Sequence, residues 1–171
     1  MTTYLVLTVI GDDRPGLVEA LAQVIADHHG NWLESNMSHL AGKFAGILRV
    51  SVSGEDADRL ILALEELPAS LRIIIERGES AEESGRELRV ARLSIVGNDR
   101  PGIVREVSQA LAAQQINVEQ LDTECSNAPM SGEPLFHARA VLRIPVDLSL
   151  DDLRVDLEQI ADDLIVDISE D

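Results

Sequence analysis

Apolar positions along this chain switch between short β-branched runs and stretches with helical spacing. Leu5 to Ile10 is an apolar run too short for a helix, and its β-branched residues predict a buried strand. Leu17, Leu21, Val24 and Ile25 then recur at the spacing of one helical face. Pro15 lies near the first turn, where a missing N–H costs nothing, and His28-His29-Gly30 suits the helix end. Two runs, Trp32 to Ser38 and Phe44 to Val52, flank Ala41-Gly42-Lys43 and predict a hairpin. Leu60, Leu64 and Leu67 mark the inward side of a second helix that Pro68 stops, and Leu71 to Glu76 forms a last strand.

The same order then repeats. Thr8-Val9-Ile10-Gly11-Asp12-Asp13-Arg14-Pro15-Gly16-Leu17-Val18 returns 86 positions later as Ser94-Ile95-Val96-Gly97-Asn98-Asp99-Arg100-Pro101-Gly102-Ile103-Val104. Ile103, Val107, Ala110 and Leu111 repeat the first helix. Leu153, Leu157, Ile160 and Leu164 repeat the second, before the strand Ile165 to Ile168. Gly46 to Val50 matches Ala140 to Ile144 at an offset of 94, which predicts eight extra residues in the second copy, at Ser126 to Pro134. Arg77 to Glu87 is polar and reads as a linker, giving domains 1–77 and 88–171 with 78–87 between them. Strand-helix-strand-strand-helix-strand with right-handed crossovers predicts an α+β fold. Each copy becomes a four-stranded antiparallel sheet with two helices on one face and the other face uncovered.

The repeated strand-to-helix turn is where chemistry concentrates. Gly11 and Gly97 permit a tight exit from the strand, and Gly16 and Gly102 permit close approach of a ligand or another backbone. The first helical turn beyond them presents unpaired N–H groups and partial positive charge, which suit a small carboxylate. Asp13 and Asp99 beside it repel a simple anion but accept hydrogen bonds from an ammonium group. Together these ends suit a zwitterion, a free amino acid. The alternative is purely local, with Asp13 capping the helix, Arg14 solvated and the glycines serving the turn.

Composition narrows the partners. The 171 residues carry 14 Lys and Arg against 31 Asp and Glu, a formal charge of −17, which argues against phosphate-driven nucleic-acid binding and against an anionic membrane surface. The four aromatic side chains, Tyr4, Trp32, Phe44 and Phe136, offer no row of rings for bases. A single cysteine, Cys125, allows no internal disulfide or cysteine-rich zinc site. The four histidines never adopt the i, i+4 spacing of helical metal ligands, so no metal and no cofactor is expected. Neither Gly-x-Ser-x-Gly, a P-loop nor Gly-x-Gly-x-x-Gly occurs, so the chain is not read as an enzyme. Met1 to Ile10 lacks the basic start of a signal peptide and no apolar run is long enough to span a bilayer, which predicts a cytoplasmic protein.

Asp13-Arg14-Pro15-Gly16, repeated as Asp99-Arg100-Pro101-Gly102 in this order of elements, resembles the ACT domain, a small ferredoxin-like (βαββαβ) regulatory module. Two such domains covering nearly the whole chain resemble the glycine cleavage system transcriptional repressor family. That resemblance implies a repressor without a DNA-binding domain, which binds a transcriptional activator of the glycine cleavage operon and is relieved by glycine. It also implies an amino-acid site where the loop after the first strand meets the second strand of a paired domain. Carried over, its residues are Asp13, Gly16, Asp99 and Gly102 in the loops, with Asn31 and Asn117 at the start of the second strands. The copies differ at Asp12/Asn98 and Trp32/Val118, which argues against two equal sites. A separate regulatory subunit of an amino-acid metabolic enzyme is the alternative reading.

Overall fold

A computed structural model describes residues 1–78 and 87–170. The chain divides into two compact units, Met1–Glu82 and Glu83–Asp171. In the first, β1 (Thr2–Asp12), α1 (Leu17–Asp27), β2 (Asn31–Leu40), β3 (Lys43–Ser53), α2 (Ala57–Glu65) and β4 (Leu71–Gly78) build an antiparallel sheet of order β2-β3-β1-β4. In the second, β5 (Leu88–Asn98), α3 (Ile103–Ala113), β6 (Asn117–Asn127), β7 (Pro134–Pro145), α4 (Leu150–Glu158) and β8 (Ile165–Glu170) repeat it as β6-β7-β5-β8. The ferredoxin-like order expected from the sequence is present twice. Of the expected linker, Gly78 is the last residue of β4 and residues 79–86 lie outside the described residues.

Each core is apolar throughout. Leu5, Leu7 and Val9 of β1 meet Leu48 and Val50 of β3, Leu21 and Ile25 of α1, and Leu60 and Leu64 of α2, all buried. In the second unit Leu93 and Ile95 of β5 meet Leu142 and Ile144 of β7, Leu111 of α3, and Leu153 and Leu157 of α4. No polar or charged residue is buried among those described. The strand expected to be buried is buried on one side only. Leu5, Leu7 and Val9 point at the helices, while Ile10 on the other face is 40% exposed beside the exposed Ile47 and Ile74. Both helices lie on the same face, so alternate residues of even this central strand stay open within the unit.

The ladders correct one sequence alignment. Val9 faces Gly46 and Ile95 faces Ala138, so the third strands correspond at an offset of 92, and the second copy has six extra residues rather than eight. They lie between β6 and β7, in a turn closed by Ala128 N–H to the Glu133 carbonyl (2.8 Å) and Gly132 N–H to the Ala128 carbonyl (3.0 Å). At the end of α1 the left-handed residue is His29 (φ 57), matched by Gln115 (φ 58), and not Gly30. Gly30 is there for closeness instead, since a Cβ on it would stand 2.9 Å from Ile25 Cγ2.

Gly11 shows the same constraint more sharply, because an added Cβ would meet the Ser70 carbonyl oxygen at 2.5 Å, an atom of backbone that cannot rotate away. Gly11→Ala is therefore expected to destabilise the protein by about 1–3 kcal/mol. Leu62→Ala on the exposed side of α2 is expected to stay within about 0.5 kcal/mol. Urea denaturation of the two variants checks both.

Candidate functional site

The turn between first strand and first helix has the same skeleton in both units. Gly16 and Gly102 are the N-cap residues, each at φ 91, a left-handed conformation that strains any residue with a Cβ. The Asp13 N–H donates to the Gly42 carbonyl (3.0 Å) and the Asp99 N–H to the Pro134 carbonyl (2.9 Å), tying each loop to the neighbouring hairpin. Helical bonding begins with Ala20 N–H to the Gly16 carbonyl (2.9 Å) and Glu106 N–H to the Gly102 carbonyl (3.0 Å). No side chain caps either helix, so the local alternative in which Asp13 serves as the cap does not hold. In α3 the Ile103 N–H makes a long bond to the Arg100 carbonyl (3.4 Å).

Around that shared skeleton the side chains differ. In the first unit Asp13 faces His39 of β2, Oδ2 to Nε2 3.6 Å, and both are half exposed. Asp12 accepts a hydrogen bond from Lys43 and lies 3.8 Å from Arg14. The Lys43 hydrogen bond, then its charge and that of Arg14, hold the Asp12 carboxyl below the usual carboxylate range. In the second unit Asp99 accepts a hydrogen bond from the Cys125 thiol of β6, the residue that occupies the place of His39. Local desolvation, the Asp99 charge and this hydrogen bond all push the thiol up, although Cys125 as a whole is exposed. Asn98 stands where Asp12 does, and its N–H donates to Asp163 (2.7 Å). Arg100 forks onto Glu106 in the first turn of α3 with bonds of 3.0 and 2.5 Å. That fork lowers the Glu106 carboxyl and raises the guanidinium. The first unit has Ala20 at the place of Glu106, so Arg14 has no such clamp.

The structure thus brings Asp13 to Gly16, and Asp99 to Gly102, in one turn each. It does not bring Asn31 or Asn117 to them within a unit. Asn31 pairs with Ser51 and His39 with Phe44, at opposite ends of β2, about 25 Å apart at strand rise. Asn117 is likewise at the far end of β6 from Cys125. His39 and Cys125 escaped the sequence reading as partners of the loop. The signal was available, since they fall 86 positions apart as the two loops do.

Two measurements follow from these contacts. Asp99→Asn removes the charge and weakens the hydrogen bond that hold the Cys125 proton, so alkylation of Cys125 by iodoacetamide at pH 8 is expected to quicken several-fold. Because the Glu106 carboxyl is lowered on folding, its pairing with Arg100 stabilises the second unit above the ordinary value of 4.5. That contribution is lost as the pH falls below it, through the lowered value. A double-mutant cycle of Arg100→Gln and Glu106→Gln is expected to show coupling at pH 7 that shrinks steadily on acidification below pH 4.5.

The ACT domain family profile matches residues 3–77. Over 54 residues the chain is 39% identical to a UPF0237 protein of Methanopyrus kandleri, a match spanning 32% of this chain and 60% of that protein. Among solved structures, an unknown protein from Galdieria sulphuraria superposes with a TM-score of 0.87 at 28% identity, over 100% of this chain and 99% of that one. A candidate glycine cleavage system transcriptional repressor superposes with a TM-score of 0.69 at 17% identity, again over 100% and 99%, a likeness of fold. The first unit therefore matches the ACT domain in sequence and in fold, and the second repeats that fold strand for strand.

Proposed function

We propose that this protein is a cytoplasmic, amino-acid-responsive regulator that represses the glycine cleavage operon by binding a transcriptional activator rather than DNA. The observation that carries the amino-acid part is the turn itself, found twice: a helix start that no side chain caps, with a carboxylate fixed beside it. A zwitterion answers both features. Its carboxylate takes the first-turn N–H groups behind Gly16 or Gly102, and its ammonium takes Asp13 or Asp99, in place of the weak contact to His39 or Cys125. Asn31 and Asn117 serve such a site only from the second strand of a paired domain, as the family resemblance implies.

Glycine is the proposed ligand. A ceiling of about −1.5 kcal/mol per non-hydrogen atom limits it to about −7.5 kcal/mol, a Kd of a few micromolar at best. Metabolite sensing needs no more. Bound amino acid shifts the protein between states only by its differential affinity for them. The −17 charge supports a protein partner over nucleic acid, because the many carboxylates steer a basic surface inward and repel phosphate. The β6–β7 tip, with a fully exposed Met130, has no counterpart in the first unit and is the proposed contact to the activator. The fold likeness to the candidate repressor supports the choice of operon.

Titration calorimetry against a panel of amino acids tests the sensor. Glycine is expected to bind at micromolar to millimolar concentration, with Asp13→Ala or Asp99→Ala weakening it about tenfold. Silence across the panel at millimolar concentration would leave a module that recognises only proteins. Among captured partners, a helix-turn-helix activator supports the repressor, whereas a metabolic enzyme supports a detached regulatory subunit.

A further inference from the structure

Within each unit the sheet face turned away from the helices is uncovered, and the two faces carry different chemistry on the same layout. The row across the middle of the first sheet runs Asn36, Ile47, Thr8, Ile74, from β2 to β4. The matching row of the second sheet runs Asp122, Arg139, Ser94, Asp167. Ile47 is 51% and Ile74 63% exposed, and Ile10, two residues beyond Thr8 on the same face, is 40% exposed. Val6, on the other side of the row, lines an open groove with Asn36, Ile47, Glu34 and Arg49. Where the first face holds two isoleucines the second holds an arginine and an aspartate, in a groove that also takes in Arg92 and Asp122.

Charge on the first face is balanced. Lys43, Arg49 and Arg72 stand against Asp12, Glu34 and Glu76, so the whole −17 of the chain lies off this face. Lys43 bonds to Asp12, and Arg49 to Glu34 at 3.0 Å. Arg72 and Glu76 have no ion pair among the described residues. They flank Ile74 on β4, beside Ile10 and Val6, and stand about 13 Å apart at strand rise.

A two-fold axis laid along the middle row supplies the missing partners. It turns the face onto that of a second copy, sets Ile47, Thr8 and Ile74 each on its own counterpart, and exchanges the rows on either side. Val6 then meets Ile10 and Glu76 meets Arg72, each twice by symmetry. Packed sheets keep their strands within about 30° of each other, a tilt that shifts these pairs by a few ångströms, within reach of Glu and Arg side chains. The same axis on the second face sets Arg139 on Arg139, Asp122 on Asp122 and Asp167 on Asp167, so that face repels its own copy. Four strands about 4.8 Å apart, over the stretch Tyr4 to Gly11 that pairs on both sides of β1, cover about 500 Å². Two copies then bury about 1,000 Å², which reaches the size of a specific interface.

We propose that the uncovered sheet face of the first unit joins two copies of this chain in a symmetric dimer, centred on Ile47 and Ile74 and held in register by Arg72 and Glu76. The second unit's face takes no part in it.

Sedimentation equilibrium of the full chain over a concentration series tests the dimer, with thermal unfolding to confirm that each variant folds. The wild type is expected to dimerise at micromolar concentration. Ile74→Glu lays carboxylate against carboxylate at the axis and is expected to weaken the dimer by about a hundredfold. Arg72→Glu and Glu76→Arg are each expected to weaken it by about tenfold. The double variant Arg72→Glu/Glu76→Arg reverses the signs of the pair and is expected to recover the dimer, which a merely structural role of these residues does not provide. Arg139→Gln on the second face is expected to change nothing. A wild type still monomeric at millimolar concentration, or a dimer indifferent to Ile74→Glu, overturns the interface. A double variant no better than the single ones overturns the proposed axis.

Discussion

One backbone hydrogen bond organises each turn: the aspartate N–H that reaches across to a hairpin carbonyl, Asp13 to Gly42 and Asp99 to Pro134. Such a bond contributes only about 0.5–1.5 kcal/mol, yet it decides where the aspartate side chain points and where the helix begins. With the loop pinned at that end, the chain can enter α1 or α3 only through a left-handed residue, and glycine supplies it at little steric cost. The helix starts without a capping side chain because the residue at the cap position has none. An uncapped helix end next to a carboxylate is thus a by-product of how the strand turns into the helix. It is also what a zwitterion requires.

Stability comes from elsewhere. Both cores are wholly apolar among the described residues, and the ion pairs lie at the surface, where exposed pairs contribute little. A net charge of −17 works against compactness through self-repulsion, which the Lys and Arg contacts only partly offset. Charge therefore shapes which partners approach, while the leucines, isoleucines and valines of the sheet and helix faces hold the fold. The division frees the loops to vary their side chains without endangering the core, provided the glycines and the anchoring N–H remain.

Most of the fold was legible because the hydrophobic period is strong and is written twice. The errors have physical causes. An alignment of the third strands that is off by two residues keeps every side chain on its own face, so the alternation of apolar and polar positions could not distinguish an offset of 94 from 92; only the ladder does. Likewise Leu5 to Ile10 is continuous in hydrophobicity although one face is open within the unit, because Val6 and Ile10 belong to an exposed apolar surface. The αL role went to His29 because Gly30 is reserved for close packing on Ile25. For the candidate site, the turn was legible from its glycines and aspartates, whereas His39 and Cys125 were not. They lie on a different strand and become neighbours of the loop only when β2 and β6 pair with their hairpin partners.

The duplication also separates what the fold needs from what a ligand would need. Both copies keep the Asp-Arg-Pro-Gly turn to pass from strand to helix, so its repetition cannot tell one loop from the other as a site. Information lies in positions that the turn does not dictate. At these the copies part: a carboxylate at Asp12 against an amide at Asn98, an imidazole at His39 against a thiol at Cys125, and no helix partner for Arg14 against the Glu106 fork on Arg100. Core positions part as well, with Leu48 and Met37 against Ala140 and Thr123. Any ligand common to both loops would be held by what they share, the first-turn N–H groups and the aspartate, and any preference between the loops would come from these differences.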